Sequence, residues 1–185
     1  MARWEGNTQG RLERAALDLF TEQGYDRTTV AQIARRANLT ERSFYRWFSD
    51  KREVLFGGGE QLRECYLTAI GAVPDGTPPL DTLMAALTAA AGIFRPRDFL
   101  RERAAVIAAN PPLQERELVK IASLAGTMSD ALVGRGHDAR TARLTADAAM
   151  AIARLANERW VREDGADYGE VLARSRADLR SVLSG

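Results

Sequence analysis

Residues 28–51 read TTVAQIARRANLTERSFYRWFSDK, and the fold turns on this stretch. Thr29 is a good helix N-cap, and Gln32 three residues on completes a capping box. Val30, Ile33, Ala34 and Ala37 then recur at i, i+3, i+4 and i+7, one face of a short helix. Asn38 tolerates the left-handed conformation that ends a helix, and Leu39 is placed to plug the turn. Thr40 caps a second helix, expected over residues 41–47. Ser43, Phe44, Trp47 and Phe48 lie near one of its faces; Glu41, Arg42, Tyr45 and Arg46 fall mainly on the other. The spacing fits a helix-turn-helix whose second helix enters a major groove by its N-terminal half. The plainer alternative is two small core helices with a solvated basic face.

The charge balance favours the first description. Residues 27–52 hold seven cations (Arg27, Arg35, Arg36, Arg42, Arg46, Lys51, Arg52) against two anions, a local +5 in a 185-residue chain of net charge +1. A local basic patch on an otherwise balanced chain points to a polyanion at one place. Cys65 is the one cysteine, which excludes an intramolecular disulfide and suits a reducing compartment. The first ten residues lack the apolar core of a signal peptide, and no run of 18 apolar residues exists, so the reading is a cytoplasmic protein with no membrane partner.

Upstream of the stretch, residues 1–6 read as a loose tail in which Arg3 could follow a phosphate backbone. A first helix begins near Asn7 or Thr8. Leu12, Ala15, Ala16, Leu19 and Phe20 form its apolar stripe, and Gly24 ends it, with Tyr25 folding back on the last turn. Taken together, Ala15, Leu19, Phe20, Gly24, Tyr25, Thr28, Thr29, Val30, Ile33, Ala34, Ala37, Asn38, Leu39, Thr40, Phe44, Tyr45, Phe48, Lys51 and Leu55 resemble, at fixed spacing, the DNA-binding domain of the TetR family of bacterial transcription regulators. Asn38 departs from the usual Gly, and Trp47 stands where Tyr or His is common. The resemblance implies an all-α fold of about nine helices. Residues 1–56 would form a three-helix DNA-binding domain, and residues 57–185 a helical regulatory and dimerisation domain.

The family's DNA contacts map onto Thr28, Thr29, Thr40, Arg42, Ser43, Tyr45, Arg46, Trp47 and Lys51. Thr28 and Thr29 fall at phosphate-contacting positions, where capping alone is the plainer role. Arg42 suits bidentate readout of guanine. Arg46 suits a base or a phosphate, and Tyr45 and Lys51 suit the DNA backbone.

A fourth helix is expected from Ser49 or Asp50 to about Ile70, opened by an Asp50–Glu53 capping box. It contains Gly57, Gly58 and Gly59, each costing roughly 0.8–1 kcal/mol against Ala inside a helix. The run is either a close-packing feature or a soft joint. Residues 71–79, with Pro74, Pro78 and Pro79, break the chain. Five further helical patterns follow, starting near Leu80, Arg97, Leu113, Ala139 and Tyr168. Ala142, Ala146, Ala149, Ala153 and Ala156 line one face of the eighth helix. That face serves burial within the chain or, as the resemblance implies, a homodimer interface through residues 139–183.

The resemblance also implies a small-molecule effector pocket. Met84, Leu87, Phe94, Phe99, Ile107, Leu124, Met128, Met150 and Trp160 supply apolar volume for a hydrophobic or aromatic compound. Arg103, Asn110, Arg154 and Asn157 supply polar groups. The implied function is a dimeric regulator binding a near-palindromic operator in double-stranded DNA, a repressor released by an effector. A regulator under protein-partner control and an activator are the alternatives. The chain offers no zinc-ligand spacing, no phosphate-binding glycine loop after a strand, and one histidine, His137, in a Gly-rich loop. No enzyme, metal or cofactor is expected.

Overall fold

The computed structural model describes residues 8–184, so the reading of the Arg3 tail lies outside it. Among the described residues there are nine α-helices, two 3-10 turns and no strand. The helices are α1 (Thr8–Gln23), α2 (Val30–Arg36), α3 (Glu41–Tyr45), α4 (Gly59–Ala72), α5 (Pro79–Ala89), α6 (Arg97–Ala108), α7 (Pro111–Gly134), α8 (Ala139–Trp160) and α9 (Tyr168–Ser184). The 3-10 turns are Glu53–Leu55 and Ala90–Ile93.

The chain divides into two compact units. One holds the chain through Gly58 together with Pro96–Leu118; the other holds Gly59–Arg95 and the chain from Val119. The first unit packs the α1 stripe of Leu12, Ala16, Leu17 and Phe20 against Ile33, Phe44, Val54 and Leu55. Val106 and Ile107 of α6 and Leu113 of α7 complete this core. The sequence reading assigned α6 to the C-terminal regulatory part, and the structure groups it with the helix-turn-helix. An apolar stripe shows which face of a helix is buried, not which core receives it.

Two guanidiniums secure α6 and α7 in the first unit. Arg103 donates from Nε to the Leu55 carbonyl at 2.7 Å and from Nη1 to Glu117 at 2.9 Å. Its guanidinium carbon lies 4.9 Å from the Phe56 ring centroid. Arg116 forms a forked pair with Glu53, 2.7 Å at Oε2, and approaches the same ring at 5.4 Å. Buried cation–ring contacts of this kind contribute about 2 kcal/mol when desolvated and less at the surface.

The expected fourth helix is interrupted. Asp50 Oδ1 accepts from the Arg52 and Glu53 backbone N–H groups, but Glu53 turns to Arg116 and does not close the box. The 3-10 turn ends at Leu55, Gly58 takes φ +78, and α4 starts only at Gly59. The division between units also falls between Gly58 and Gly59. A Cβ on Gly57 would meet Glu13 Oε1 at 2.2 Å and Gln9 Nε2 at 2.7 Å, so this residue packs closely on α1. Gly58 has nothing within 4 Å but needs its backbone freedom. Gly58→Ala is therefore expected to destabilise the protein by about 1–2 kcal/mol through left-handed strain, although it meets no steric obstacle. Denaturant titration of the single variant reads this directly.

In the second unit, Leu83, Leu87, Met128, Leu132, Ile152 and Leu172 are sealed from solvent. The five alanines of α8 are buried in this same core, beside Val171 and Leu172 of α9. Small residues let the two helices approach closely within one chain, so this stripe is occupied internally and is not itself an intersubunit surface. Arg135 caps α4 by donating to the carbonyls of Ile70, Val73 and Pro74.

Candidate DNA interface

The helix-turn-helix forms by local rules. Gln32 N donates to Thr29 Oγ1 at 3.2 Å, and Thr29 N donates to Gln32 Oε1 at 2.8 Å, a complete capping box. Asn38 takes φ 54, and Leu39 N returns to the Ala34 carbonyl at 2.8 Å. Thr40 Oγ1 accepts from Ser43 N at 3.1 Å and starts α3. Phe44 is 0% exposed and packs on Phe48 with ring centroids 5.4 Å apart. This fixes the rotation of α3 about its axis.

That rotation presents Arg42, Tyr45 and Arg46 outward. Tyr45 is 56% exposed. Trp47, placed by its spacing on the inner side, is instead 44% exposed, because α3 ends at Tyr45 and the chain turns there. The Arg46 guanidinium carbon lies 5.9 Å from the Trp47 ring centroid. Thr29 and Thr40 are exposed, and Ser43 is half-buried.

Two residues expected at phosphates have partners within the protein. Thr28 is 1% exposed, and its hydroxyl donates to the Gly24 carbonyl at 2.8 Å. It closes the turn after α1 and presents no hydroxyl to DNA. Thr28→Val should therefore lower stability by about 1 kcal/mol, the usual net value of a hydrogen bond, and leave DNA affinity of the folded protein unchanged. Lys51 donates to the carbonyls of Tyr25 at 2.8 Å and Thr28 at 3.0 Å, with its ammonium 4.2 Å from the Tyr25 ring centroid. Two of its three donors hold the turn.

The basic patch also resolves into parts. Arg36 forms a forked pair with Glu22, at 2.9 and 2.6 Å, and holds that carboxyl below its ordinary value. Arg52 bonds Asp50 and does the same there, helped by backbone N–H groups and opposed by burial. Both pairs contribute above the ordinary carboxylate range and are lost as pH falls through the depressed values. Arg27 donates to the Gln23 carbonyl. Arg35, Arg42 and Arg46 have no carboxylate partner among the described residues. Two of these three cations are on the outer side of α3.

The sequence reading missed Arg11 and Gln23. Arg11 donates across to the carbonyls of Ala37 and Asn38, holding the interhelical turn. Gln23 joins Thr28 Oγ1 to Gln32 Oε1. Neither has a sequence signal, since each is a polar residue on an ordinary helix that meets its partner only after folding.

The expected effector-pocket residues separate. Met84, Leu87, Leu124 and Met128 belong to the core of the second unit. Phe99, Arg103, Ile107 and Asn110 lie in the first unit, where Ile107 is core, Arg103 holds Leu55 and Asn110 donates to the Val106 carbonyl. Asn157 is exposed on α8, beyond the interior. Arg154, also exposed, pairs with Glu158 at 3.0 Å. Among the described residues no group of three His, Cys, Asp or Glu is placed to hold a metal, and no helix is long and apolar enough to cross a membrane.

A short buried-face helix, a tight Asn turn and a five-residue helix that presents Arg42 outward and is followed by Arg46 define a helix-turn-helix of the kind found in transcription regulators. Residues 13–56 match the family model described as bacterial regulatory proteins of the tetR family, and residues 77–184 match the MftR C-terminal domain. The chain belongs to the TetR family, whose members are regulators and not enzymes. It is 39% identical over 88 residues to the transcriptional regulator TcmR of Streptomyces glaucescens, covering 48% of this chain and 39% of TcmR. The chain thus matches about two fifths of that curated relative's length. Its fold is similar to NalD of Pseudomonas aeruginosa, the secondary repressor of the MexAB-OprM efflux pump, with TM-score 0.57 and 20% identity over 94% of this chain and 96% of that one. A SmeT–triclosan complex is similar at TM-score 0.57 and 20% identity, covering 92% and 90%.

Proposed function

We propose that this chain is a dimeric, sequence-specific DNA-binding repressor of transcription in the cytoplasm, released from its operator by a small molecule bound in the second unit. The observation that carries the DNA reading is the outward pair Arg42 and Arg46, exposed and without a carboxylate partner among the described residues, on a helix locked by Phe44. Arg42 is the base reader. Arg46, Thr29, Thr40, Ser43, Tyr45 and Trp47 supply further base or phosphate contacts, and Lys51 contributes its remaining donor.

A five-residue helix reads few base pairs, so two copies related by a two-fold axis are needed for a near-palindrome. The dimer surface in this proposal is the outward face of α8 and α9, where Leu144, Val182 and Leu183 are exposed. The sign of regulation follows the naming of NalD as a repressor, and control by a small molecule follows the SmeT–triclosan complex. Effector coupling of about 1–3 kcal/mol, a factor of about 5–150 in DNA affinity, is enough for such control.

Footprinting on DNA upstream of the chain's own coding region tests this. The expected result is a protected near-palindrome whose half-sites lie about 10 base pairs, or a multiple of that, apart, with two chains bound. Absence of any protected segment at about 150 mM salt, where phosphate contacts alone are weak, would overturn the proposal.

A further inference from the structure

The turn between α2 and α3 is held from outside the motif. Asn38 N donates to the Arg35 carbonyl at 3.0 Å and Leu39 N to the Ala34 carbonyl at 2.8 Å, so the N–H groups of the turn close back on α2. The Ala37 and Asn38 carbonyls receive no backbone N–H among the described residues. Their partner is Arg11 of α1, 26 and 27 positions earlier in the chain. Its Nη2 donates to the Ala37 carbonyl and, at 3.3 Å, to the Asn38 carbonyl.

Arg11 stands on a fixed base. The next residue, Leu12, is 0% exposed and shares a core with Ile33 of α2 and Phe44 of α3. Arg11 itself is half-buried, and these two carbonyls are its hydrogen-bond partners among the described residues. Residues 37–40 are all that separate the end of α2 from the start of α3. A shift of the turn therefore passes straight into the first turn of α3, where Arg42 stands two residues after the Thr40 cap. Phe44 fixes rotation of α3 about its axis, but one anchor on a five-residue helix does not fix the tilt of that axis. Readout of a base edge needs placement to within about 0.5 Å. Phosphate contacts carry no sequence information, so their loss weakens binding to every duplex alike.

We infer that Arg11 is a positioning residue for sequence discrimination: it touches no base and sets the tilt of α3 through the Ala37 and Asn38 carbonyls. This rests on reading α3 as the helix that enters DNA. Arg11 has no carboxylate partner among the described residues, so direct contact with a phosphate is the competing role, and salt dependence separates the two.

The test is affinity for the footprinted operator and for a scrambled duplex of the same length, over a salt series, for the full chain as wild type, Arg11→Met and Arg11→Lys. Both affinities scale with the folded fraction, so their ratio does not report stability. Arg11→Met should lower the operator-to-scrambled ratio at least about tenfold, the size of one lost base contact. Its affinity for the scrambled duplex should stay within about twofold of wild type, with the same slope of log affinity against log salt. Arg11→Lys keeps the charge but not the planar donor geometry, and should lose at least about threefold in the ratio with the slope unchanged. That variant decides the matter if Arg11→Met does not fold. A wild-type ratio in either folded variant would overturn the inference. So would both affinities of Arg11→Met falling together with a slope shallower by about 1, the mark of a phosphate contact. Arg42→Ala/Arg46→Ala in the same series keeps the two readings apart. If it leaves operator affinity unchanged, the reading of α3 fails. If it loses operator affinity while both Arg11 variants keep the wild-type ratio, only the role of Arg11 fails.

Discussion

Replacing Phe44 with alanine is expected to destabilise the first unit by about 3–5 kcal/mol and to abolish specific DNA binding with it. Phe44 is 0% exposed and meets the Tyr45 ring edge-on and the Phe48 ring at a tilt, at centroid distances of 5.5 and 5.4 Å. The remaining residues of α3 have almost no other apolar hold, because the helix has five residues and points the rest outward or half-outward. A helix this short does not persist without tertiary packing. Denaturant unfolding followed by Trp47 fluorescence, in a background with Trp4 and Trp160 replaced by Phe, checks it. A loss below about 1 kcal/mol would mean that α3 is held some other way.

Arg103→Met is the second large effect, about 2–4 kcal/mol lost from the same unit. The substitution keeps the aliphatic stem but removes the donors to Leu55 and Glu117 and the cation over Phe56. It also leaves the Leu55 carbonyl in need of a partner, and an unmet buried group costs more than the net value of the bond. An unaltered first-unit unfolding midpoint in this variant would contradict the structural role of Arg103.

The contrast between Phe44 and Arg103 shows what could be read from sequence. Thr29, Gln32, Asn38 and Thr40 act on backbone groups within four residues, so spacing alone identified both caps and the turn. Phe44 and Phe48 followed from helical periodicity. Arg103 acts on Leu55, 48 positions away, and nothing near it indicates that. The same limit placed α6 with the regulatory helices and left the core assignment of Ile107 open. Thr28 and Lys51 were read as DNA contacts because they fall at the family's phosphate- and backbone-contacting positions, whereas their donors meet carbonyls made available only when the 24–28 turn forms. The glycine run was read as one object. In the structure Gly57 answers to close packing and Gly58 to a left-handed backbone, two different constraints.

The central claim is that the outer side of α3 reads DNA through Arg42 and Arg46. Its most direct test is the salt dependence of binding to the footprinted operator, and to a scrambled duplex, for wild type and for Arg42→Ala/Arg46→Ala. Both residues are exposed and unpaired with carboxylates among the described residues, so the double variant should keep the unfolding midpoint. Operator affinity should fall by at least about tenfold through the lost base contact. The slope of log affinity against log salt should become shallower by about 1, the signature of a lost phosphate contact. Unchanged operator affinity and slope in a folded double variant would contradict the assignment of α3 as the reading helix.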